Sequence, residues 1–395
     1  MPGPPNIGTK GTDSIPVPHA TEHPAVMTRS PQPPDLIRPE ILAAAAYPVP
    51  DAAGLIKLDA MENPHGLPEE LRGSWAEYLA RQSVNRYPDP GARELKQQLR
   101  ACYGIGPEYD ILLGNGSDEI IQLLALALAR PQAQALAFEP SFVMYARCAR
   151  LCGMDYIGMS LRDDFSIPLQ QVLQVIAESR PALVFVAQPN NPTGNLCAEE
   201  TLVHIASATP GLMVIDEAYH AFSGADSLAL LETRENLLVM RTLSKLGLAG
   251  LRIGFLVGRR EWITVLEKVR MPYNVGTLAQ AGAVFFLQHR QQLHDQADRI
   301  RQDRELLRQG LGQLADIQQW PSDANFILFR VRNLPARVVH AGLLTQGILI
   351  KSLDGVHPLL RDCLRVTVGT TAENTAFLAA LGQVLHHRDV RFLRY

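Results

Sequence analysis

Leu212-Met213-Val214-Ile215-Asp216-Glu217-Ala218-Tyr219 decides the fold. Its first four residues are a short apolar run, read as a strand over 212–215, and it breaks off into two acids and a phenol. Similar runs lie on either side. Upstream stand strands at 135–138 and 183–187; downstream stands one at 237–242. Segments of helical period separate them, at 119–130, 169–179 and 198–207. Such alternation predicts an α/β fold with a largely parallel sheet. Beyond about residue 275 the helical pattern lengthens over 278–314, and two short strands follow at 326–330 and 364–368. That change of pattern suits a second, smaller α+β domain. No internal repeat is found.

Composition limits the function. The chain has 395 residues, long enough for one large or two ordinary domains. Apolar residues make up 47% and charged residues 19%, the balance of a soluble globular protein. A net charge of −3 without a basic block gives nucleic acid and anionic membranes nothing to grip. Cys102, Cys148, Cys152, Cys197 and Cys363 are odd in number and scattered, which reads as reduced packing residues in a cytoplasmic protein. The histidines, His65, His204 and His220 among them, form no metal-ligand spacing, so no metal is expected. No apolar run reaches the roughly 20 residues that span a bilayer. Residues 1–34 are rich in Pro, Gly, Ser and Thr and are expected to be disordered; Met27 reads as an alternative start.

Four segments in order carry the chemistry. Pro189-Asn190-Asn191-Pro192-Thr193-Gly194 follows one strand, and Asp216-Glu217-Ala218-Tyr219 ends the next. Thr242-Leu243-Ser244-Lys245 ends a third, and Gly250-Leu251-Arg252-Ile253-Gly254 lies just beyond it. Ligands of open α/β sheets bind outside the carboxyl ends of the strands, so an amide, a carboxylate, a phenol and an amine converge on one crevice. Pyridoxal phosphate requires that set. It needs a lysine for its aldehyde, an acid opposite its pyridine nitrogen, donors for its 3-oxygen, and hydroxyls, a cation and free amides for its phosphate. Gly114-Asn115-Gly116-Ser117-Asp118 turns into a helix N-terminus, which is an anion site. Singly, each residue has a plainer reading. A strand-end Asp is commonly a cap, an Asn-Pro a turn, a lysine a solvated charge, and Phe142 or Tyr219 core packing. Their order at consecutive strand ends is what lifts them above those readings.

Together these segments resemble the fold-type-I, class II aminotransferases, most closely the histidinol-phosphate aminotransferases, from about Tyr47 to Gly369. Glu62-Asn63-Pro64, Arg86-Tyr87-Pro88-Asp89, Gly116-Ser117-Asp118-Glu119 and Leu364-Arg365-Val366-Thr367-Val368-Gly369 carry the finer likeness. The resemblance implies a large domain with a mainly parallel seven-stranded sheet over 86–275 and a small domain over 276–395. Residues 35–85 would be an N-terminal arm plus part of the small domain. It implies Lys245 as the Schiff-base lysine and proton carrier, Asp216 as partner of the pyridine nitrogen, and Asn191 and Tyr219 as ligands of the 3-oxygen. Ser117, Asp118, Ser244 and Arg252 would cup the cofactor phosphate, with Phe142 stacked on the ring. Tyr87 would reach that phosphate from the second subunit of a homodimer. Arg365, Lys351 and Tyr47, with Asn191, would hold glutamate and histidinol phosphate.

Two features depart from the family. Lys245 and Arg252 are seven residues apart where relatives often have one residue more. Lys351 stands where an arginine is usual, which keeps the charge and loses the bidentate fork. Three other readings share the motifs: a transaminase of aromatic amino acids, a threonine-phosphate decarboxylase, and a regulator using the fold to bind an effector. The last would need a DNA-binding domain that 34 Pro-rich residues are too few to supply.

Overall fold

The computed structural model describes residues 30, 32–46 and 48–386. The disorder expected over 1–34 falls mostly outside them, as does Tyr47. Contacts divide the chain at Tyr47/Pro48. Of the first unit, two single-turn helices are described, Pro33–Leu36 and Pro39–Leu42, each started by a proline that presets the helical φ.

The second unit contains all the described strands. Seven of them form one sheet, in the order Tyr109–Asn115, Ile253–Arg259, Leu237–Thr242, Leu212–Asp216, Leu183–Ala187, Gln134–Glu139, Asp155–Ser160. The last five run parallel, and Ile253–Arg259 pairs antiparallel with both its neighbours. The sheet is therefore mainly parallel, as expected. Its three middle strands are dominated by Val, Ile, Leu and Met because both faces are covered. Val184, Val186, Met213, Ile215 and Val239 enter one core cluster, while Phe185, Leu212, Val214, Leu238 and Met240 enter a second. Helix Ser117–Leu128 packs Ile120, Ile121 and Leu124 into the second cluster; helix Thr277–Gln288 packs Val284 and Phe285 into the first.

A four-stranded antiparallel sheet follows, in the order Lys351–Ser352, Cys363–Thr367, Phe326–Val331, Ile317–Gln319. The two strands foreseen at 326–330 and 364–368 are its centre. Upstream chain joins this region: Ile56–Lys57 pairs in parallel with Ile348–Leu349, and the Leu58 carbonyl accepts from the Thr367 amide at 2.9 Å. The long helical stretch foreseen over 278–314 is two helices, Thr277–Gln288 and Arg290–Gln313, meeting at His289. At φ −106°, ψ 32°, that residue leaves the helical basin while the apolar pattern runs on, so periodicity alone hid the break. None of the described helices is long and apolar enough to cross a membrane.

Candidate active site

The three middle strands set the site. Leu183–Ala187, Leu212–Asp216 and Leu237–Thr242 are sheet neighbours, so Asn191, Asp216 and Lys245 leave adjacent carboxyl ends on the same side. They line one cavity of about 600 Å³, counting its open mouth. Tyr219, Ser244, Arg252, Ser117, Asp118 and Phe142 complete the expected lining, and Met61 adds an apolar patch.

Asp216 is 4% exposed, and burial pushes its carboxyl up to about 6. Two donors oppose that rise. The Tyr145 hydroxyl donates to Oδ2 at 2.6 Å, and the Ala218 amide donates to Oδ1 at 3.0 Å. Across the cavity, Lys245 lies in a tight turn, Ser244–Leu248, that Gly247 makes possible at φ 119°. Its amine donates to the Ala60 carbonyl at 3.2 Å and sits 5.8 Å from the Tyr219 ring centre. Burial first, and then the Arg365 cation, pull it down to about 8. A buried acid and a half-buried amine, each shifted toward neutrality, therefore share one cavity; this is the usual mark of an active site. Tyr219 is 4% exposed, its ring edge-on to Phe326 at 5.2 Å.

An anion cup closes one end. Helix Ser117–Leu128 begins after Gly116, with no side-chain cap on its first-turn amides. A Cβ at Gly254 would lie 2.5 Å from the Ser117 amide nitrogen, and one at Gly116 would lie 2.6 Å from Arg252 Nη2. Glycine at both positions is what lets strand, helix start and guanidinium close up. Arg252 holds a left-handed backbone at φ 54° and reaches to 3.7 Å from Asp118 Oδ2. The Ser244 hydroxyl stands 2.9 Å from that of Thr242. Uncapped amides, two serine hydroxyls and a guanidinium fit a phosphate. With a buried carboxyl and an amine in the same cavity, the donor set fits pyridoxal phosphate as a whole.

Of the residues expected to meet the substrate, Asn191 is in that lining, while Arg365 and Lys351 are not. Arg365, on strand Cys363–Thr367, is buried; it donates to Asn191 Oδ1 and, at 3.0 Å, to the Asp59 carbonyl. Lys351 pairs directly with Arg365 across the antiparallel strands, so both side chains leave the same face of the small sheet. Tyr87 is 81% exposed and stacks on Tyr273 with centroids 4.6 Å apart. It does not line the cavity.

Sequence reasoning passed over three features. Tyr145 stands three residues after Phe142, in the first turn of helix Met144–Leu151, yet nothing in the sequence assigns its hydroxyl to Asp216. Arg241 reads as one more strand residue and is 2% exposed. It donates through Nε to Glu217 Oε2 at 2.8 Å and through Nη2 to Asp226 Oδ1 at 2.6 Å. Asp59 and Ala60 act through backbone carbonyls, which no side-chain motif announces.

Comparison with known proteins agrees with this geometry. The family of class I and II aminotransferases matches residues 53–381. Histidinol-phosphate aminotransferase 2 of Nitrosococcus oceani is 53% identical over 345 residues, 87% of this chain and 96% of that protein. The histidinol-phosphate aminotransferase of Chromobacterium violaceum is 49% identical over 346 residues, 88% and 97% of the two chains. Among solved structures, the histidinol-phosphate aminotransferase of Sinorhizobium meliloti in complex with pyridoxal-5'-phosphate superposes with a TM-score of 0.80. It is 23% identical, with 90% of this chain and 98% of that one covered. The chain is thus an enzyme that belongs to the class I and II aminotransferase family, in the company of the histidinol-phosphate aminotransferases.

Proposed function

We propose that this enzyme binds pyridoxal phosphate on Lys245 and transfers the amino group of L-glutamate to imidazole-acetol phosphate, forming 2-oxoglutarate and L-histidinol phosphate. The observation that carries the reading is the single cavity lined by a buried Asp216, raised to about 6, and a half-buried Lys245, lowered to about 8. The names and high identity of the relatives supply the substrate.

When bound, the cofactor supplies an electron sink for the carbanion formed at the substrate α-carbon. The protein's residues do the rest. Asp216 holds a proton on the facing ring nitrogen. Lys245 would carry the proton of the substrate α-carbon; a value near 8 leaves a working fraction of its amine neutral around pH 7. Asn191, Tyr219 and Phe142, which line the cavity, would hold the cofactor's ring and its 3-oxygen. Ser117, Asp118, Ser244 and Arg252 hold the cofactor phosphate. Arg365 grips a carboxylate of the donor, and Lys351 holds the substrate phosphate. The site belongs to a homodimer, with Tyr87 crossing to its neighbour, in the cytoplasm. Residues 86–275 form the cofactor-binding domain, and 276–395 with part of 35–85 form the small domain.

The test is a panel of keto acceptors offered to the purified protein with glutamate, imidazole-acetol phosphate included. Release of 2-oxoglutarate fastest with that acceptor is expected. A preference for phenylpyruvate would move the enzyme to the aromatic transaminases. Carbon dioxide release from threonine phosphate without transamination would make it a decarboxylase.

A further inference from the structure

Tyr145 is built into the floor of the cavity and has no part in the mechanism so far. It lies in helix Met144–Leu151, is 1% exposed, and stacks on Phe185 with centroids 4.6 Å apart and planes at 7°. Phe142 closes its edge at 5.8 Å and 85°. Two rings fix the phenol plane, so the hydroxyl has one direction to point, toward Asp216 Oδ2 at 2.6 Å. Burial and the Asp216 charge keep the phenol protonated well above the ordinary tyrosine range, so the group is a permanent donor. The Ala218 amide takes Oδ1. With a donor on each oxygen, the carboxylate is fixed about its Cβ–Cγ bond. One donor comes from the backbone of the same strand end and the other from a different helix.

We propose that Tyr145 is a positioning residue of the transamination reaction: its hydroxyl orients Asp216 and favours its ionised form, so that Asp216 meets the cofactor ring as an aligned carboxylate. The inference rests on the pyridoxal-phosphate reading above and concerns a residue that reading leaves without a role. The charged and titratable groups near Asp216 are Asp118 from the helix start, Glu217 and Tyr219 from its own strand end, and Lys245 across the cavity. Asp118 and Glu217 raise the Asp216 value, and burial raises it most; Tyr145 is the foremost opposing influence. Removing the hydroxyl therefore moves Asp216 further up, and the acid limb of any property that needs the carboxylate moves up with it.

The experiment compares wild type, Tyr145→Phe, Tyr145→His, Asp216→Asn and the double variant Tyr145→Phe/Asp216→Asn. One readout is pyridoxal-phosphate affinity of the cofactor-free proteins against pH, followed by fluorescence quenching; the other is kcat and KM of the loaded enzymes. A hydrogen bond to a buried charge is worth roughly 10- to 150-fold. Tyr145→Phe should lower kcat at least 10-fold, leave the glutamate KM within about twofold, and shift the acid limb of cofactor affinity upward by about half a pH unit or more. Tyr145→His, which keeps a donor in a ring of smaller reach, should recover part of the loss. In the Asp216→Asn background, Tyr145→Phe should cost little more, because it acts through the carboxylate. An unmoved acid limb, or a loss in the double variant equal to the product of the single ones, overturns the inference. Should Tyr145→Phe fold poorly, Tyr145→His decides: an acid limb of its cofactor affinity unmoved from wild type overturns the inference. If Asp216→Asn itself keeps full turnover, the cofactor reading falls; if only Tyr145→Phe is silent, this inference alone falls.

Discussion

On the function proposed above the cavity has a cofactor side and a substrate side, and the two are built differently. Asp216, Asn191, Ser244 and Lys245 hang from adjacent strand ends whose register is set by a sheet buried on both faces. Arg365 and Lys351 hang from the small antiparallel sheet, and Tyr87 from an exposed stretch stacked on Tyr273. On the first side, backbone geometry fixes the side chains before any ligand arrives. On the second, the Arg365–Asn191 hydrogen bond links the small sheet to the large one, and the outer residues have little around them. The first side can support chemistry common to a whole family, and the second is where a substrate is chosen. Losses on the first side should therefore be large and the same for every substrate, while losses on the second should be smaller and selective.

Lys245 gives the largest effect. On the proposed function, Lys245→Ala removes both the attachment point and the base, so turnover should fall by ~10⁴-fold or more for every amino donor tried. Reduction of the loaded wild type with borohydride and peptide mapping should find the cofactor on Lys245. Its recovery on any other lysine breaks the comparison at its root.

Lys245 also burdens the empty protein. Its value is about 8 folded against 10.5 as an ordinary lysine, so charging the half-buried amine costs stability. That cost is full below about pH 8 and disappears as pH rises through 8 toward 10.5. Asp216 works with opposite sign: held near 6 instead of 3.8, it costs nothing below about pH 3.8 and its full amount above about 6. Both costs are present at pH 7. Lys245→Met, apolar and similar in reach, should therefore make the cofactor-free protein more stable by ~1–3 kcal/mol at pH 7. The gain should shrink between pH 8 and 10. Denaturant melts of the two proteins across that range check it; a gain that is absent, or that grows with pH, means the amine is hydrated and not buried.

The same contrast explains what the sequence disclosed. Short apolar runs followed closely by Asn191, Asp216 and Lys245 made strand and strand end legible together, because in a parallel sheet the chain returns each time to the same edge. The parallel centre of the sheet and the strand limits at 183–187 and 237–242 were legible for that reason, whereas the count of seven came from the family resemblance, since the strands Tyr109–Asn115, Asp155–Ser160 and Ile253–Arg259 were not read from the pattern. Tyr145 was not, since its role needs a helix packed at a given angle over Phe185, a tertiary fact with no local signature. Nor was the Glu217–Arg241 pair. Glu217 follows Asp216 directly, and alternation along the strand turns it away from the cavity toward a partner 24 positions on. The Ala60 and Asp59 carbonyls that hold Lys245 and Arg365 were hidden because backbone acceptors are the same in every residue.

Lys351 sharpens the substrate side. Facing Arg365 across the strand pair, it puts a second cation on that face, with Cβ atoms about 4.5–5.5 Å apart. A dianionic phosphate gains from both charges and an uncharged ring does not. Lys351→Ala should lower kcat/KM for histidinol phosphate by roughly 10- to 150-fold, and much less for phenylalanine. Lys351→Arg should be tolerated, since the charge stays and a fork is added. Equal losses for both substrates would leave Lys351 as a surface lysine with no share in recognition.

Tyr87 gives the smallest loss and the most direct test of the outer region. Its ring is 81% exposed, stacked on Tyr273, and outside the cavity of its own chain. So large an exposed aromatic pair is expected to be covered by a second copy, bringing the phenol to the other subunit's phosphate cup. A hydrogen bond to a phosphate is worth about 10-fold or more, so Tyr87→Ala should weaken cofactor affinity and turnover by at least that much. Lys245→Ala is inactive for a different reason, and the two defects lie in different subunits of any one shared site. Random pairing of Tyr87→Ala with Lys245→Ala subunits makes half the dimers mixed, each with one intact site of two, so about a quarter of wild-type activity should return. If the mixed dimers form, as exchange of tagged subunits would show, and turnover stays at the level of the parents, each site is complete within one chain. The exposed tyrosine pair would then have no part in catalysis.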